Sequence, residues 1–132
     1  MTAPGAVSSR FEVAELVGAG GMGMVYRARD RATGRQVALK ILPPDEDPVR
    51  FEREASALAR LRHPGIVGFV DHGLTDEGRP YLAMSWLEGE TLASRLKRKS
   101  LSMGEVKAVG ICVAEALVAA HGAGVVHRDL KP

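Results

Sequence analysis

Gly18, Gly20 and Gly23 fall at G-x-G-x-x-G spacing, and what flanks them limits the fold more than any other feature of the chain. Phe11 to Val17 before them and Val25 to Arg29 after them both read as strands, and Asp30 to Gly34 reads as a turn. A dinucleotide site with this spacing needs a helix after the glycines, so that a helix N-terminus meets the pyrophosphate. A short strand closed by a turn does not supply one. A Walker-type loop is excluded as well, because no Gly-Lys-Ser/Thr follows. Two readings remain: a plain hairpin turn, or a glycine flap whose missing Cβ atoms let backbone N–H groups approach a phosphate. In the second, Val25 is placed to cover a flat base.

The rest of the chain extends this start into an α+β pattern. Arg35 to Leu42 alternates Val37, Leu39 and Ile41 against Ala38, Lys40 and Leu42, which predicts a third strand. Asp47-Pro48 is a helix start, a capping side chain followed by proline at the first helical position. That helix is expected to run to about Arg62, where His63-Pro64-Gly65 stops it. Ile66 to His72 and Tyr81 to Trp86 predict two more strands, and Thr91 to Lys99 a short helix. Ser102 and Glu105 have capping-box spacing and open a long helix ending near Gly122-Ala123-Gly124. Strands, one helix, strands, then helices give an antiparallel sheet with helices segregated from it. Residues 1–10 are small and polar and are expected to be disordered.

Composition excludes several functions. A net charge of +2 is too small to suggest nucleic acid or a membrane surface, and 5% aromatic residues argue against a base-stacking platform. The cluster Lys97-Arg98-Lys99 reads as a solvated helix end. The single cysteine, Cys112, rules out an intrachain disulfide and reads as inert packing. Met1 to Ser9 lacks a signal-peptide pattern, and no stretch reaches the ~18 apolar residues of a membrane span. A cytoplasmic location is the expectation. His63, His72 and His121 have no metal-site spacing.

Lys40 sits in the apolar run Val37-Ala38-Leu39-Lys40-Ile41. Taken alone it reads as an edge lysine. At 100° per residue, however, Glu54 falls between Leu58 and Leu61 on the face of Phe51, opposite Glu52, Arg53, Ser56 and Arg60. A carboxylate aimed at a core costs several kcal/mol unless a cation meets it, and Lys40 is the natural partner. Further on come Tyr81-Leu82-Ala83-Met84-Ser85-Trp86-Leu87-Glu88-Gly89 and the closing His127-Arg128-Asp129-Leu130-Lys131-Pro132.

Glycine flap with Val25, Val37-Ala38-Leu39-Lys40, Glu54, strand-and-hinge and closing hexapeptide, in this order, resemble the eukaryotic-type Ser/Thr protein kinases. The resemblance covers Phe11 to Pro132. Gly-Ala-Gly-Gly-Met-Gly and Ala120-His121-Gly122-Ala123-Gly124-Val125-Val126 are similar to bacterial members. It implies a kinase-like N-lobe over residues 11–87, a five-stranded antiparallel sheet plus one helix with the hinge. Residues 88–132 would be the first helices of an incomplete C-lobe.

It also implies a site. Gly18, Ala19, Gly20, Gly21, Met22 and Gly23 with Val25 and Ala38 would enclose ATP, and Lys40 would hold its α/β-phosphates, itself held by Glu54. Met84 would be the gatekeeper, and the Ser85 carbonyl and Leu87 N–H would bind the adenine edge. Asp129 would be the general base and Lys131 would neutralise the transferring phosphoryl group. Magnesium is implied too, but the family's metal-binding Asn and the Asp of D-F-G do not occur within these residues. The 132-residue polypeptide is therefore expected to be inactive, with a protein Ser/Thr hydroxyl as the family's acceptor and the substrate unknown. A non-catalytic nucleotide-binding or interaction module is the alternative. In the last helix Val106, Val109, Val113 and Leu117 form one apolar stripe while Ile111 and Val118 lie elsewhere, so an exposed apolar patch and self-association are expected.

Overall fold

A computed structural model describes residues 7–20, 23–126 and 130–131, which divide into two units. The first comprises the chain up to Ala59 together with Gly68–Trp86; the second comprises Arg60–Val67 and Leu87 onward.

The first unit is built on β1 (Phe11–Gly20), β2 (Gly23–Asp30), β3 (Gln36–Ile41), β4 (Phe69–Leu74) and β5 (Pro80–Ser85), with α1 (Pro48–Arg60). The strands form one antiparallel sheet in the order β1-β2-β3-β5-β4. Side chains alternate between the two faces of a strand. Tyr26, Ala28, Val37, Leu39, Ile41, Tyr81 and Ala83 share one face and form the core with Phe11 and Val7. Phe11 meets Tyr81 edge-on at 5.9 Å, bringing the start of edge strand β1 to β5.

Val7 is fully buried and bridges to Phe11, so residues 7–10 are part of the fold rather than a disordered lead-in. Arg10 explains why. Its Nε and Nη2 donate to the two carboxylate oxygens of Asp30, both at 2.9 Å, and its Nη1 lies 3.6 Å from Asp71 on β4. Asp30 is buried, and also accepts from Ala32 N and Thr33 Oγ1 in the β2–β3 turn. The Arg10 bonds, helped by the Ala32 N–H, outweigh burial and hold the Asp30 carboxyl at a pKa of about 2.

Local signals set most element ends. Asp47 Oδ1 accepts from Val49 N at 3.0 Å and caps α1. β4 starts at Phe69 rather than Ile66 because the stop at His63 runs on: Gly65 N donates to His63 Nδ1 and Ile66 N to the His63 carbonyl.

In the second unit, α2 (Leu92–Arg98) is capped by Thr91, and α3 (Met103–Gly122) opens with the expected Ser102–Glu105 capping box. Gly124 at φ +80 ends α3: its N–H donates to His121 O, and Val125 N–H donates to Ala120 O. These two bonds make a Schellman termination, which turns the chain sharply ahead of residue 127. Met103, Val106, Ile111 and Val118 on α3 are exposed, and of this helix only Ala120 is buried. No helix among the described residues is long and apolar enough to cross a membrane.

Candidate functional site

The face of the sheet turned away from the core carries four of the residues singled out by sequence. Cross-strand register puts Val25 opposite Lys40 and Lys40 opposite Leu82, making one row across β2, β3 and β5. The next row runs Arg27, Ala38, Met84. Val25, Ala38, Lys40 and Met84 are therefore neighbours on one surface, each partly exposed. An apolar floor with a single primary amine among small and aliphatic side chains suits a flat ring joined to an anion.

The glycine hairpin borders this face. Gly18 pairs with Val25, Ala19 with Met24 and Gly20 with Gly23, while register shifts between Val13 and Glu15 and between Leu16 and Gly18 bend β1. The glycines differ in what they need. A Cβ on Gly23, at φ +110, would lie 2.2 Å from the Ile41 carbonyl oxygen, so the backbone itself requires glycine there. A Cβ on Gly18 would make an ordinary contact with Val25, and one on Gly20 would meet nothing within 4 Å. The fold does not demand glycine at those two positions, which leaves close approach of something else as their reason. Gly21 and Met22 lie outside the described residues.

Ser85 closes β5, its N–H donating to Gly68 O at 2.8 Å, and Leu87 beyond it is exposed. Arg27 stands over the Trp86 ring at 5.7 Å and pairs with Glu15 at 2.6 Å. Sequence reasoning missed this arginine, although its spacing of two from Val25 was signal enough to put it on the same face.

The structure does not join Glu54 to Lys40 in an ion pair. Glu54 is exposed and its Oε1 accepts from Arg50 Nε at 3.2 Å, one turn back on α1. The reason is where the helix ends. Leu61, counted into the apolar stripe, lies beyond Arg60, and the helix buries Phe51 and Ala55 instead. On that centre Glu54 falls about 80° to one side, at the solvent margin. An exposed i,i+4 pair of this kind contributes about 0.2–0.5 kcal/mol.

Asp129, with His127 and Arg128, lies outside the described residues; Lys131 is exposed. No group of three His, Cys, Asp or Glu side chains among the described residues is arranged to hold a metal ion. The residues described here do not by themselves fit a magnesium centre.

The family described as "Protein kinase domain" matches residues 11–132. Serine/threonine-protein kinase pkn3 of Myxococcus xanthus is 42% identical over 132 residues, covering 96% of this chain and 24% of that protein. Serine/threonine-protein kinase PknA of Mycobacterium tuberculosis is 42% identical over 136 residues, covering 96% of this chain and 32% of that protein. The chain thus spans a third or less of these curated relatives. The crystal structure of the M. tuberculosis PknI kinase domain superposes with a TM-score of 0.85 at 34% identity, over all of this chain and 55% of that one.

Proposed function

The chain belongs to the protein kinase domain family, related to bacterial Ser/Thr kinases, and from that premise we propose that its first unit binds ATP for transfer of the γ-phosphoryl group to a protein Ser/Thr hydroxyl. One observation carries the reading: Val25, Ala38, Lys40 and Met84 occupy adjacent rows of a single sheet face, bordered by glycines the fold does not itself require. Adenine lies against Val25, Ala38 and Met84, its edge reading the Ser85 carbonyl and the Leu87 N–H. Backbone N–H groups of residues 18–23 approach the phosphates, and the Lys40 ammonium donates to the α/β-phosphate oxygens. Glu54 serves as the Lys40 partner by exchanging Arg50, a weak pairing to give up. Asp129 takes the role of general base, and Lys131 neutralises charge on the moving phosphoryl group. Magnesium accompanies the nucleotide in this family; no described residue is assigned to it.

Titration calorimetry with ATP and with adenosine tests the reading. Lys40→Ala is expected to weaken ATP roughly tenfold or more, the worth of a charge-assisted bond, while adenosine is unaffected. Equal losses for both ligands would remove Lys40 from the phosphates, and no binding of either by the wild type would end the proposal. Phosphoryl transfer rests mainly on positioning and on metal-assisted charge neutralisation. A positioned base alone contributes only ~10²–10⁴-fold. The 132-residue polypeptide, without the family's Asn and D-F-G Asp, is therefore expected to show no autophosphorylation in a radiolabelled ATP assay.

The exposed Met103, Val106, Ile111 and Val118 lead us to expect self-association of this polypeptide. Sedimentation should give a concentration-dependent mass, and replacing Ile111 and Val118 with serine should reduce it. A monodisperse monomer across the range would contradict this.

A further inference from the structure

We infer that Arg27 is a positioning residue for the glycine hairpin, locked over Trp86 so that β1 and β2 are held at a fixed height above the nucleotide face; the inference rests on the nucleotide reading above. Arg27 lies on β2, two residues from Val25 and one row away from Lys40. Its register partner on β3 is Ala38, whose own partner on β5 is Met84. Trp86 follows β5 by one residue, so the arginine must cross the β3 row to reach the ring. The methyl side chain of Ala38 leaves that path open. The guanidinium ends 5.7 Å from the ring centroid on one side, and on the other its Nη2 is 2.6 Å from Glu15 Oε1, on β1.

The chain of contacts Glu15–Arg27–Trp86 thus ties both strands of the hairpin to the segment that leads into Leu87. A planar guanidinium can stack and donate to a carboxylate at its edge at the same time, which an ammonium does not. Beyond Arg27 toward the tip, β2 stays paired to β3 as far as Met24–Ile41, whereas β1, the edge strand, has β2 as its one neighbour and pairs through Leu16–Tyr26, Gly18–Val25, Ala19–Met24 and Gly20–Gly23. Without the tie, the edge strand is held at this end by backbone pairing to β2 alone; with it, the N–H groups of Gly18 and Gly20 return to the same place each time. Each contact is expected to bias that position by roughly two- to fivefold, the typical worth of an exposed cation–π stack or ion pair.

The test is a double-mutant cycle with two readouts. Arg27→Gln keeps the aliphatic stem and removes the charge; Trp86→Ala removes the ring. Each should weaken ATP binding about two- to fivefold, and the double variant no further than the worse single, because both remove one contact. Amide exchange of Gly18–Gly20 and Gly23–Val25 should accelerate in both, with the β3 amides and the unfolding midpoint unchanged. Trp86→Phe keeps a ring face and should hold near wild-type affinity. Wild-type affinity and exchange in Arg27→Gln, or losses that multiply in the double variant, would overturn the inference. If the wild type binds no ATP, the nucleotide reading falls while hairpin exchange still decides whether Arg27 positions it.

Discussion

Asp30→Ala is expected to cost about 3 kcal/mol of stability at neutral pH, read as a fall in the urea midpoint. Breaking a buried ion pair from one side typically costs 3–5 kcal/mol. The lower end applies here because Arg10 is about one-third exposed and can rehydrate. The substitution also strips an acceptor from Ala32 N and Thr33 Oγ1, so the β2–β3 turn loosens along with the pair. The pH dependence follows from the direction of the shift. Asp30 is depressed from 3.8 to about 2 in the folded protein, so its contribution is fully present above pH ~4 and is lost as pH falls through about 2. Allowing for screening at Arg10, that contribution is about 1–2 kcal/mol. The gap between wild type and variant should therefore narrow by that amount in acid. A gap that stays constant from pH 7 to pH 2 would show that the charge on Asp30 is not what matters.

Gly23→Ala is expected to be comparably severe, about 3 kcal/mol. Part is the left-handed backbone, at φ +110, which costs an L side chain roughly 1–2 kcal/mol. The rest is the 2.2 Å approach to the Ile41 carbonyl, which only a movement of β2 away from β3 relieves. Gly18→Ala and Gly20→Ala should stay within about 1 kcal/mol of wild type in the same denaturation series. On the reading proposed for this face, those two should instead lose ATP affinity. The glycine spacing then splits into one residue the fold requires and two the ligand requires. Equal midpoints for Gly23→Ala and Gly20→Ala would refute that division.

Much of the architecture was legible in the sequence because its signals are local. The strand alternation around Lys40, the Asp47-Pro48 start, the Ser102–Glu105 box and the glycines ending α3 each act within a few residues, and each appears where expected. The single-face arrangement of Val25, Ala38, Lys40 and Met84 follows from alternation once the strands are paired. What escaped depends on distance or on an end-point. Arg10 finds Asp30 twenty residues away, and one buried valine at position 7 makes no periodic pattern. The orientation of Glu54 turned on whether Leu61 belonged to α1. A helix two residues shorter moves the centre of its apolar stripe enough to put a carboxylate at the solvent margin rather than in the core. The trailing motif around Asp129 is the most specific in sequence, yet residues 127–129 lie outside the described residues, so its reading rests on the sequence.

The Arg10–Asp30 pair also bears on where this domain begins. The family pattern starts at residue 11, and every motif that identifies the chain lies at or after that point. The physical unit reaches further back, to include Val7, buried in the core, and Arg10, which neutralises the buried Asp30. A polypeptide trimmed to the recognisable pattern would keep every motif and lose a buried core valine and the cation that meets Asp30. For this protein, the smallest piece that carries the family's signature is shorter than the smallest piece that can shelter its own core.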